Sequence, residues 1–131
     1  MCVFCEIAKG NIPSTKIYED DNVLAILDLS QVTRGHTLVM PKKHVDNFLE
    51  ADEETVSQCI KVANQLAKKI VKNLNASGCN ILNNNNEVAG QTVMHLHFHI
   101  IPRYSENDSF VVDFKEADKQ DLTAVQKDIL G

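Results

Sequence analysis

Apolar and polar residues alternate strictly along residues 94–102, which read MHLHFHIIP. Such alternation is typical of a half-buried β-strand, in which residues two apart share a face. We therefore predict a strand over residues 93–101, with Leu96, Phe98 and Ile100 pointing into the core. The opposite face then carries three histidines at a spacing of about 7 Å, twice the rise per strand residue: His95, His97 and His99.

Short apolar runs predict four further strands, over residues 16–19, 23–27, 37–40 and 80–82. The first two flank the turn-forming cluster Asp20-Asp21-Asn22, so they are predicted to pair as a hairpin. The third ends at Pro41, because proline cannot continue a central ladder. A short helix over residues 5–9 is predicted to stop at Gly10.

Residues 52–73 predict the main helix. Acidic residues stand at its start and lysines near its end, as the helix dipole favours. Apolar side chains recur near helical spacing: Val56, Ile60, Ala63, Leu66, Ile70 and Leu74.

After Pro102 the chain is polar, then carries an apolar segment at 110–114 and a weakly amphipathic end. Strands clustered around one long helix indicate the α+β class, with an antiparallel sheet packed on that helix in a single domain, residues 1–131.

Composition and charge exclude several classes of function. The 131 residues suffice for one domain, and the net charge of -5 is spread along the chain, so no basic patch favours duplex nucleic acid. No apolar run approaches the length of a membrane span, and the first residues lack the regions of a signal peptide. We therefore expect a cytoplasmic protein with no membrane partner. The 4 cysteines are too sparse for a disulfide framework and favour reduced thiols or a metal site.

The alternating histidines are the strongest candidates for chemistry. Imidazole is the one side chain with an unperturbed pKa near neutrality, so it can act as nucleophile, proton carrier or metal ligand. A strand face that carries histidines by chance is the alternative. Three of the 5 histidines lie in this one segment, which argues against chance.

The pattern His-x-His-x-His followed by two apolar residues resembles the histidine triad (HIT) family of nucleotide-binding proteins. Matching segments occur in that family's order and spacing over nearly the full chain, at residues 26–30, 35–39, 41–44, 83–85 and 89–92. The N-terminal Cys2-Val3-Phe4-Cys5 and the closing Ile101-Pro102-Arg103-Tyr104 resemble bacterial members of its adenosine phosphoramidase branch. The resemblance implies a HIT-like fold with about five strands, one long helix and a short N-terminal helix. It also implies a two-fold homodimer in which the two sheets join.

The resemblance places the catalytic chemistry on two of the three histidines. His97 matches the family nucleophile, which attacks the α-phosphorus of a nucleotide conjugate through a nucleotidyl-histidine intermediate. His99 matches the histidine that helps bind the phosphate and handle the proton at the scissile bond. To attack at neutral pH, His97 must be neutral, and its other nitrogen must donate its proton to a fixed acceptor such as a backbone carbonyl.

Phosphate donors are expected just before the triad. Gly90 lets the backbone approach the phosphate, Gln91 can donate its amide near the leaving group, and Thr92 offers a hydroxyl where the family commonly has serine. Asn84 resembles the family asparagine that reaches the phosphate or leaving group. It lies in a run of four asparagines, residues 83–86, whose alternative role is a turn.

The nucleoside is expected to bind beside Asp28, which matches the family acid that hydrogen-bonds both ribose hydroxyls. One carboxylate with two acceptor oxygens suits a vicinal diol. Several apolar side chains could frame a slot for a base or belong to the core: Phe4, Ile7, Ile17, Ile26 and Leu29. These residues select no base, so a preference for purine nucleotides, adenine especially, is only what the resemblance implies.

Cysteines and histidines outside the catalytic pair indicate a second site, because two thiolates and two imidazoles are the ligands of a closed structural zinc site. The resemblance implies that zinc is bound by four residues: Cys2, Cys5, His44 and His95. Two unliganded cysteines are the alternative, whereas a redox pair is disfavoured because no strand can precede the CxxC motif. The remaining cysteines and histidine are interpreted as structural: Cys59, Cys79 and His36.

These residues and the resemblance predict a hydrolase that cleaves AMP conjugates of the phosphoramidate type at the α-phosphate. A dinucleoside polyphosphate hydrolase would use the same nucleophile with a different leaving group. A zinc-dependent hydrolase and a nucleotide-binding regulatory protein with little catalysis are alternatives from other classes. Retention of all three triad histidines argues against the regulatory alternative, and no motif selects the leaving group.

Overall fold

A five-stranded antiparallel sheet forms the centre of the computed structural model, which describes residues 1–131. The strands are β1 Lys16–Glu19, β2 Val23–Leu27, β3 Thr37–Pro41, β4 Gly78–Leu82 and β5 Phe98–Arg103. Three α-helices accompany them: α1 Val3–Ala8, α2 Glu53–Asn73 and α3 Leu122–Leu130. The strand order is β1-β2-β3-β5-β4, so β1 and β4 are the edges. The predicted α+β class, the hairpin of β1 and β2 and the third strand are confirmed.

Helices cover both faces of the sheet, and alternate side chains of β2 pack into the two apolar clusters on these faces. Val23 and Ala25 lie in the apolar cluster under α2, whereas Leu24 and Ile26 lie in the cluster under α1. α1 covers the second cluster with its two buried side chains. The sheet therefore holds the short N-terminal helix on the face opposite to the long helix.

α2 begins at the position that its acidic residues predict, but the residues that it buries differ in part from the apolar residues noted in the sequence. The carboxylate of Asp52 caps the helix by accepting the Thr55 N–H at 2.8 Å. The buried residues of α2 are Thr55, Cys59, Val62, Ala63, Leu66 and Ile70. Two members of the apolar stripe noted in the sequence lie outside this buried set, since Val56 is half-buried and Ile60 is 43% exposed. Small residues occupy the core-facing positions beside them, so the apolar pair lies on the flank of the helix.

The main departure from the predicted strands is the start of β5. The strand begins at Phe98, five residues later than predicted, because the preceding segment bends away from the sheet. There Leu96 donates its backbone N–H to the Val45 carbonyl at 2.8 Å, and His95 donates its own to the Val93 carbonyl at 2.9 Å. These bonds replace the ladder, so the first two triad histidines lie outside the regular strand. The core-facing positions of the alternation are confirmed, since Leu96, Phe98 and Ile100 are all buried.

β5 continues through Pro102, where the alternating pattern ends. Pro102 pairs with Cys79 on β4, while the pairing of β5 with β3 stops at Ile100 opposite Thr37. The missing N–H of the proline therefore faces no strand, and its carbonyl accepts the Thr33 hydroxyl at 2.6 Å. Cys79 thus lies within β4 and is only half-buried, which corrects its prediction as a core residue before a strand.

The two ends of the chain differ in how firmly they are held. α1 begins at Val3, two residues before its predicted start, because the Cys2 sulfur caps the helix by accepting the Cys5 N–H at 3.4 Å. Past Arg103 the chain extends over the surface, and α3 buries no residue. No helix combines the length and the apolarity that crossing a membrane requires.

Candidate functional site

Because of the bend before β5, the rings of the triad histidines lie in two different places. His95 is completely buried, and its ring contacts the cysteines of α1 and the end of β3. His97 and His99, with ring centroids 5.0 Å apart, line a cavity that His95 does not reach. The prediction of one row of three histidines about 7 Å apart is therefore wrong, because it assumed a straight strand.

His97 has one ring nitrogen engaged and the other free. Its Nδ1 lies 2.7 Å from the backbone oxygen of His95, so Nδ1 carries the proton and donates it, and Nε2 keeps its lone pair. Burial lowers the pKa of His97, although the His95 carbonyl and Asp28 oppose this shift. A neutral imidazole with an unprotonated Nε2 is the form that a nucleophile requires.

His99 is paired with His36, which corrects the interpretation of His36 as a structural residue without a partner. Val32 donates its backbone N–H to His36 Nδ1 at 3.3 Å, so the proton of His36 lies on Nε2. His36 Nε2 lies 2.9 Å from His99 Nδ1 and donates to it, which places the His99 proton on Nε2. Burial, and then the neighbouring His97 and His36, lower the pKa of His99 to about 4. His99 is therefore a neutral N–H donor whose tautomer is set through His36.

Asp28, just after β2, completes this group. Its Oδ1 accepts the Ser30 N–H at 2.7 Å, and its Oδ2 lies 3.7 Å from His36 Nε2. Asp28, His36 and His99 offer three ligand atoms within 4.8 Å of one another. They do not suit a metal ion, because the His36 nitrogen that faces the group carries its proton. The carboxylate instead retains acceptor capacity for hydroxyl groups.

A cavity of about 290 Å³ lies between α1, the end of β2 and the triad. Four of the five predicted slot residues line it: Phe4, Ile7, Ile26 and Leu29. Ile17 is the exception, because it lies on β1 and faces a different groove beside Leu66 and Ile70. The polar side chains of the wall are Ser14, Asp28, Thr92, His97 and His99. Sequence analysis missed Ser14.

Gln91 braces the loop before the triad. Its side chain is buried, and its Nε2 donates to the carbonyls of Asp46 and Val93 at 2.7 and 2.9 Å. Its Oε1 accepts the Asn86 N–H at 2.8 Å. Both amide hydrogens are used, so in this structure Gln91 cannot donate to a leaving group as the sequence led us to expect.

Asn84 and Gly90 hold the same loop to each other. Asn84 Nδ2 donates to the Gly90 carbonyl at 3.4 Å, and Gly90 has a left-handed φ of +98°, which favours glycine. Neither residue lines the cavity, whereas Thr92 does. The asparagine that contacts the triad is Asn83, whose Nδ2 donates to the His97 carbonyl at 3.0 Å.

Two cysteines and two histidines form a second cluster at the start of α1. Cys2 Sγ lies 3.3 Å from His95 Nδ1, and Cys5 Sγ lies 3.3 Å from His44 Nδ1 and 3.5 Å from His95 Nδ1. All four ligand atoms lie within 4.8 Å of one another. Zinc bonds of about 2.0 to 2.3 Å in tetrahedral geometry separate ligand atoms by about 3.3 to 3.8 Å. The contacts of this cluster match that range.

The far nitrogens of the two imidazoles orient the cluster. His95 Nε2 lies 2.7 Å from the Pro41 carbonyl, and His44 Nε2 lies 2.9 Å from Asp46 Oδ1. Both acceptors take the Nε2 proton, so both Nδ1 lone pairs face the thiols, as in protein zinc sites. The four residues could therefore hold a metal ion. Cys59, by contrast, is fully buried in the core, as predicted.

Comparison with known proteins finds relatives over most of the chain. A family model described as HIT domain matches residues 9–106. Protein hit of Bacillus subtilis (strain 168) is 46% identical, with 94% of this chain and 90% of that protein aligned. Adenosine 5'-monophosphoramidase hnt1 of Schizosaccharomyces pombe is 40% identical over 80% of this chain and 76% of that protein. Adenylylsulfatase HINT3 of Arabidopsis thaliana is 40% identical over 78% of this chain and 52% of that protein.

Solved structures share the same architecture. A HIT family protein from Bacillus anthracis aligns with a TM-score of 0.93 at 44% identity, covering 98% of this chain and 94% of that chain. A zinc-bound histidine triad family protein from Mycobacterium smegmatis aligns with a TM-score of 0.79 at 36% identity, covering 99% and 97%. The fold implied by the resemblance is therefore confirmed.

Proposed function

Because this chain belongs to the HIT family, we propose that it hydrolyses AMP conjugates of the phosphoramidate type at the α-phosphate. The observation that carries the proposal is the 2.7 Å contact between His97 Nδ1 and the His95 carbonyl. This contact leaves Nε2 of a buried imidazole unprotonated in a residue that lines the cavity. The relatives named as an AMP phosphoramidase and an adenylylsulfatase support AMP as the retained half of the substrate.

The nucleotide occupies the cavity in this proposal. The purine packs among the apolar side chains of α1 and β2, and Asp28 accepts hydrogen bonds from the ribose hydroxyls. Thr92 and His99 then donate to the phosphate oxygens from the opposite wall. Gln91, Asn84 and Gly90 act on the phosphate only by holding the loop that carries Thr92.

The reaction proceeds in two displacements. His97 Nε2 attacks the α-phosphorus, the P–N bond to the amine breaks, and AMP becomes linked to His97. The anionic phosphate raises the pKa of His99 on binding, so a second proton enters at Nδ1 in place of the hydrogen bond from His36, and His99 delivers its Nε2 proton to the leaving nitrogen. Water then attacks the adduct and returns a proton to His99, which releases AMP and restores His97.

We propose zinc as the ion of the second cluster, held by Cys2, Cys5, His44 and His95. Their distances and proton positions fit that ion. When bound, zinc supplies a closed tetrahedral crosslink between α1, the end of β3 and the triad segment. These four residues would fill the tetrahedral positions of a bound zinc and leave none open for substrate, which disfavours a zinc-dependent hydrolase.

We propose an isologous homodimer formed through α2 and the free edge of β4. A groove of about 650 Å³ lies between these elements, and its apolar lining is Ile60, Ala63, Ala67, Val71, Cys79 and Ile81. In the isolated chain Ile60 is 43% and Ile81 is 49% exposed. One two-fold contact with a second copy covers both this groove and the unpaired strand edge.

The activity is tested by comparing kcat/KM for AMP joined to a simple amine, AMP joined to lysine, adenylyl sulfate and a diadenosine polyphosphate. We expect the two phosphoramidates to be the best substrates. His97→Ala should lower kcat by about 10⁴-fold or more while AMP still binds, because Asp28 and the apolar slot remain. Rapid quench and peptide mass spectrometry should find AMP on the peptide of residues 94–103.

His99→Gln is the matched control, because it keeps the nucleophile and removes only the proton donor. This variant should still form the adduct on His97, more slowly than the wild type. Turnover at the wild-type rate by His97→Ala, or AMP attached to another residue, would show that the nucleophile is assigned wrongly.

A further inference from the structure

The cavity contains one polar group that the proposed reaction does not use. Ser14 lines the cavity from the segment between α1 and β1. Its Oγ is buried and lacks a hydrogen-bond partner, and it is the one such side-chain atom in the chain. An unpaired buried hydroxyl forfeits its bonds to water, so nearly all buried hydroxyls have a partner. A single exception in the wall of a binding cavity indicates a group that a ligand completes.

The roles of the other polar side chains in the wall decide which part of the nucleotide is left for Ser14. It shares the wall with apolar side chains of the segments around α1 and β2, including Ile7, Ile12 and Ile26. The remaining polar side chains of the wall are Asp28, Thr92, His97 and His99. The proposed reaction assigns all four to the ribose or the phosphate. Ser14 is therefore the one polar side chain left for the base.

We propose that Ser14 recognises the edge of the purine base by a hydrogen bond from or to its hydroxyl. This inference rests on the proposed function and deepens it. A hydroxyl can donate to a ring nitrogen and accept from an amino group. Serine has three staggered rotamers, so rotation about Cα–Cβ turns the hydroxyl from its buried position toward a bound base without moving the backbone.

A hydroxyl in this place changes what the slot selects. A wholly apolar slot accepts any flat base of the right size. A slot with one desolvated hydroxyl penalises a base that presents a C–H group to it, because the hydroxyl is then left unpaired. Ser14 is thus a specificity-determining residue, and its removal should affect the bound state and not the free state.

The first experiment compares Ser14→Ala with wild type by thermal melting and calorimetric titration with AMP. The free variant should melt at the wild-type temperature or above it, because the lost hydroxyl has no partner in the free protein. The affinity for AMP should fall about tenfold, and the AMP-induced rise in Tm should shrink accordingly. Thr15→Ala is the matched control, since Thr15 is exposed, does not line the cavity, and loses the same kind of group.

The second experiment identifies the edge of the base with four analogues of AMP: the 1-deaza, 3-deaza and 7-deaza forms and the form without the 6-amino group. One analogue should bind the wild type about tenfold more weakly than AMP does. The same analogue should bind Ser14→Ala with the same affinity that AMP has for that variant. Such coupling between one residue and one atom assigns the hydrogen bond.

Four results overturn the inference. If Ser14→Ala binds AMP with wild-type affinity, Ser14 has no role in recognition of the base. If the substitution weakens the binding of AMP and of every analogue by the same factor, it changes only the shape of the slot. A clear fall in Tm of free Ser14→Ala shows that the hydroxyl is paired in the free protein. If wild-type protein fails to bind AMP, the proposed function fails and this inference fails with it, which is a distinct result.

Discussion

The histidines of this chain share one side chain but have three roles, which the partner behind each ring decides. His44 and His95 turn Nδ1 lone pairs to the cysteines, because a carboxylate and a carbonyl take their Nε2 protons. His97 has the opposite tautomer and keeps a free Nε2. His36 and His99 present N–H groups, because a backbone amide occupies Nδ1 of His36. Ligand, nucleophile and donor are thus set by hydrogen-bond partners.

A first prediction concerns His36 as a positioning residue. His36→Leu removes the bond that sets the tautomer of His99, so kcat should fall about tenfold with little change in KM. Burial remains the main cause that lowers the pKa of His99, but one repelling neighbour is gone. The pKa of His99 should therefore rise from about 4 toward its ordinary value, which titration by NMR can measure.

The conservative variant separates this role from packing. His36→Gln places an amide near the former Nε2, so it should restore part of kcat and part of the low pKa of His99. A fall in kcat with an unchanged titration of His99 and no rescue by glutamine would assign His36 to packing alone.

Residues were predictable from sequence where their role depends on a local pattern. The alternation locates His97 and His99, and the resemblance to the family identifies Asp28; all three line the cavity. The role of His36 was not predicted, because it depends on the register of β3 and β5, in which Leu38 lies opposite His99. Gln91 was misread because its amide bonds to the Asp46 carbonyl, a contact between distant parts of the chain.

At the scale of elements, α1 depends on the rest of the molecule. A helix of 6 residues is unstable by itself. Two buried side chains hold α1 to the sheet, and its cysteines hold it to His44 and His95. Because Phe4 and Ile7 line the cavity, the position of α1 also shapes the nucleotide slot.

We therefore predict that Cys5→Ser lowers zinc content well below one ion per chain and Tm by about 10 °C or more. KM for the nucleotide should rise, because α1 forms a wall of the slot. Cys79→Ala is the control for zinc content, since Cys79 lies outside the cluster, and it should keep its zinc. Elemental analysis and thermal melting test both variants; a metal-free Cys5→Ser protein with wild-type Tm would remove the structural role.

Element boundaries were predictable where the signal is chemical and failed where it is conformational. The acidic N-cap marks the start of α2, and turn residues mark the hairpin of β1 and β2. The alternation before β5 could not reveal the bend, because side chains also alternate along extended chain that has left the sheet. Only the bonds of residues 95 and 96 to carbonyls off the ladder distinguish the two conformations.

At the scale of the whole molecule, the α2 and β4 groove predicts the assembly. Ile81→Lys places a charge on the exposed edge strand, so it should give a monomer in sedimentation at micromolar concentration, where wild type sediments as a dimer. Val88→Lys puts the same charge on a 99% exposed residue outside the groove and should remain dimeric. A wild-type monomer at this concentration would contradict the proposed interface.

His95 joins the two sites through different parts of one residue, its ring to the cysteines and its carbonyl to the nucleophile. A substitution at position 95 keeps the backbone carbonyl but removes the ring that fixes this segment, so a variant that lost both metal and activity would imitate an enzyme whose metal takes part in the reaction. His44 shares no hydrogen bond with His97, so loss of metal through His44 separates the two effects. The difference between His44 and His95 also constrains how the metal site can be lost in evolution. Loss of the metal through His44 leaves the hydrogen bond of the nucleophile untouched, whereas a first substitution at position 95 also disturbs the segment that carries it.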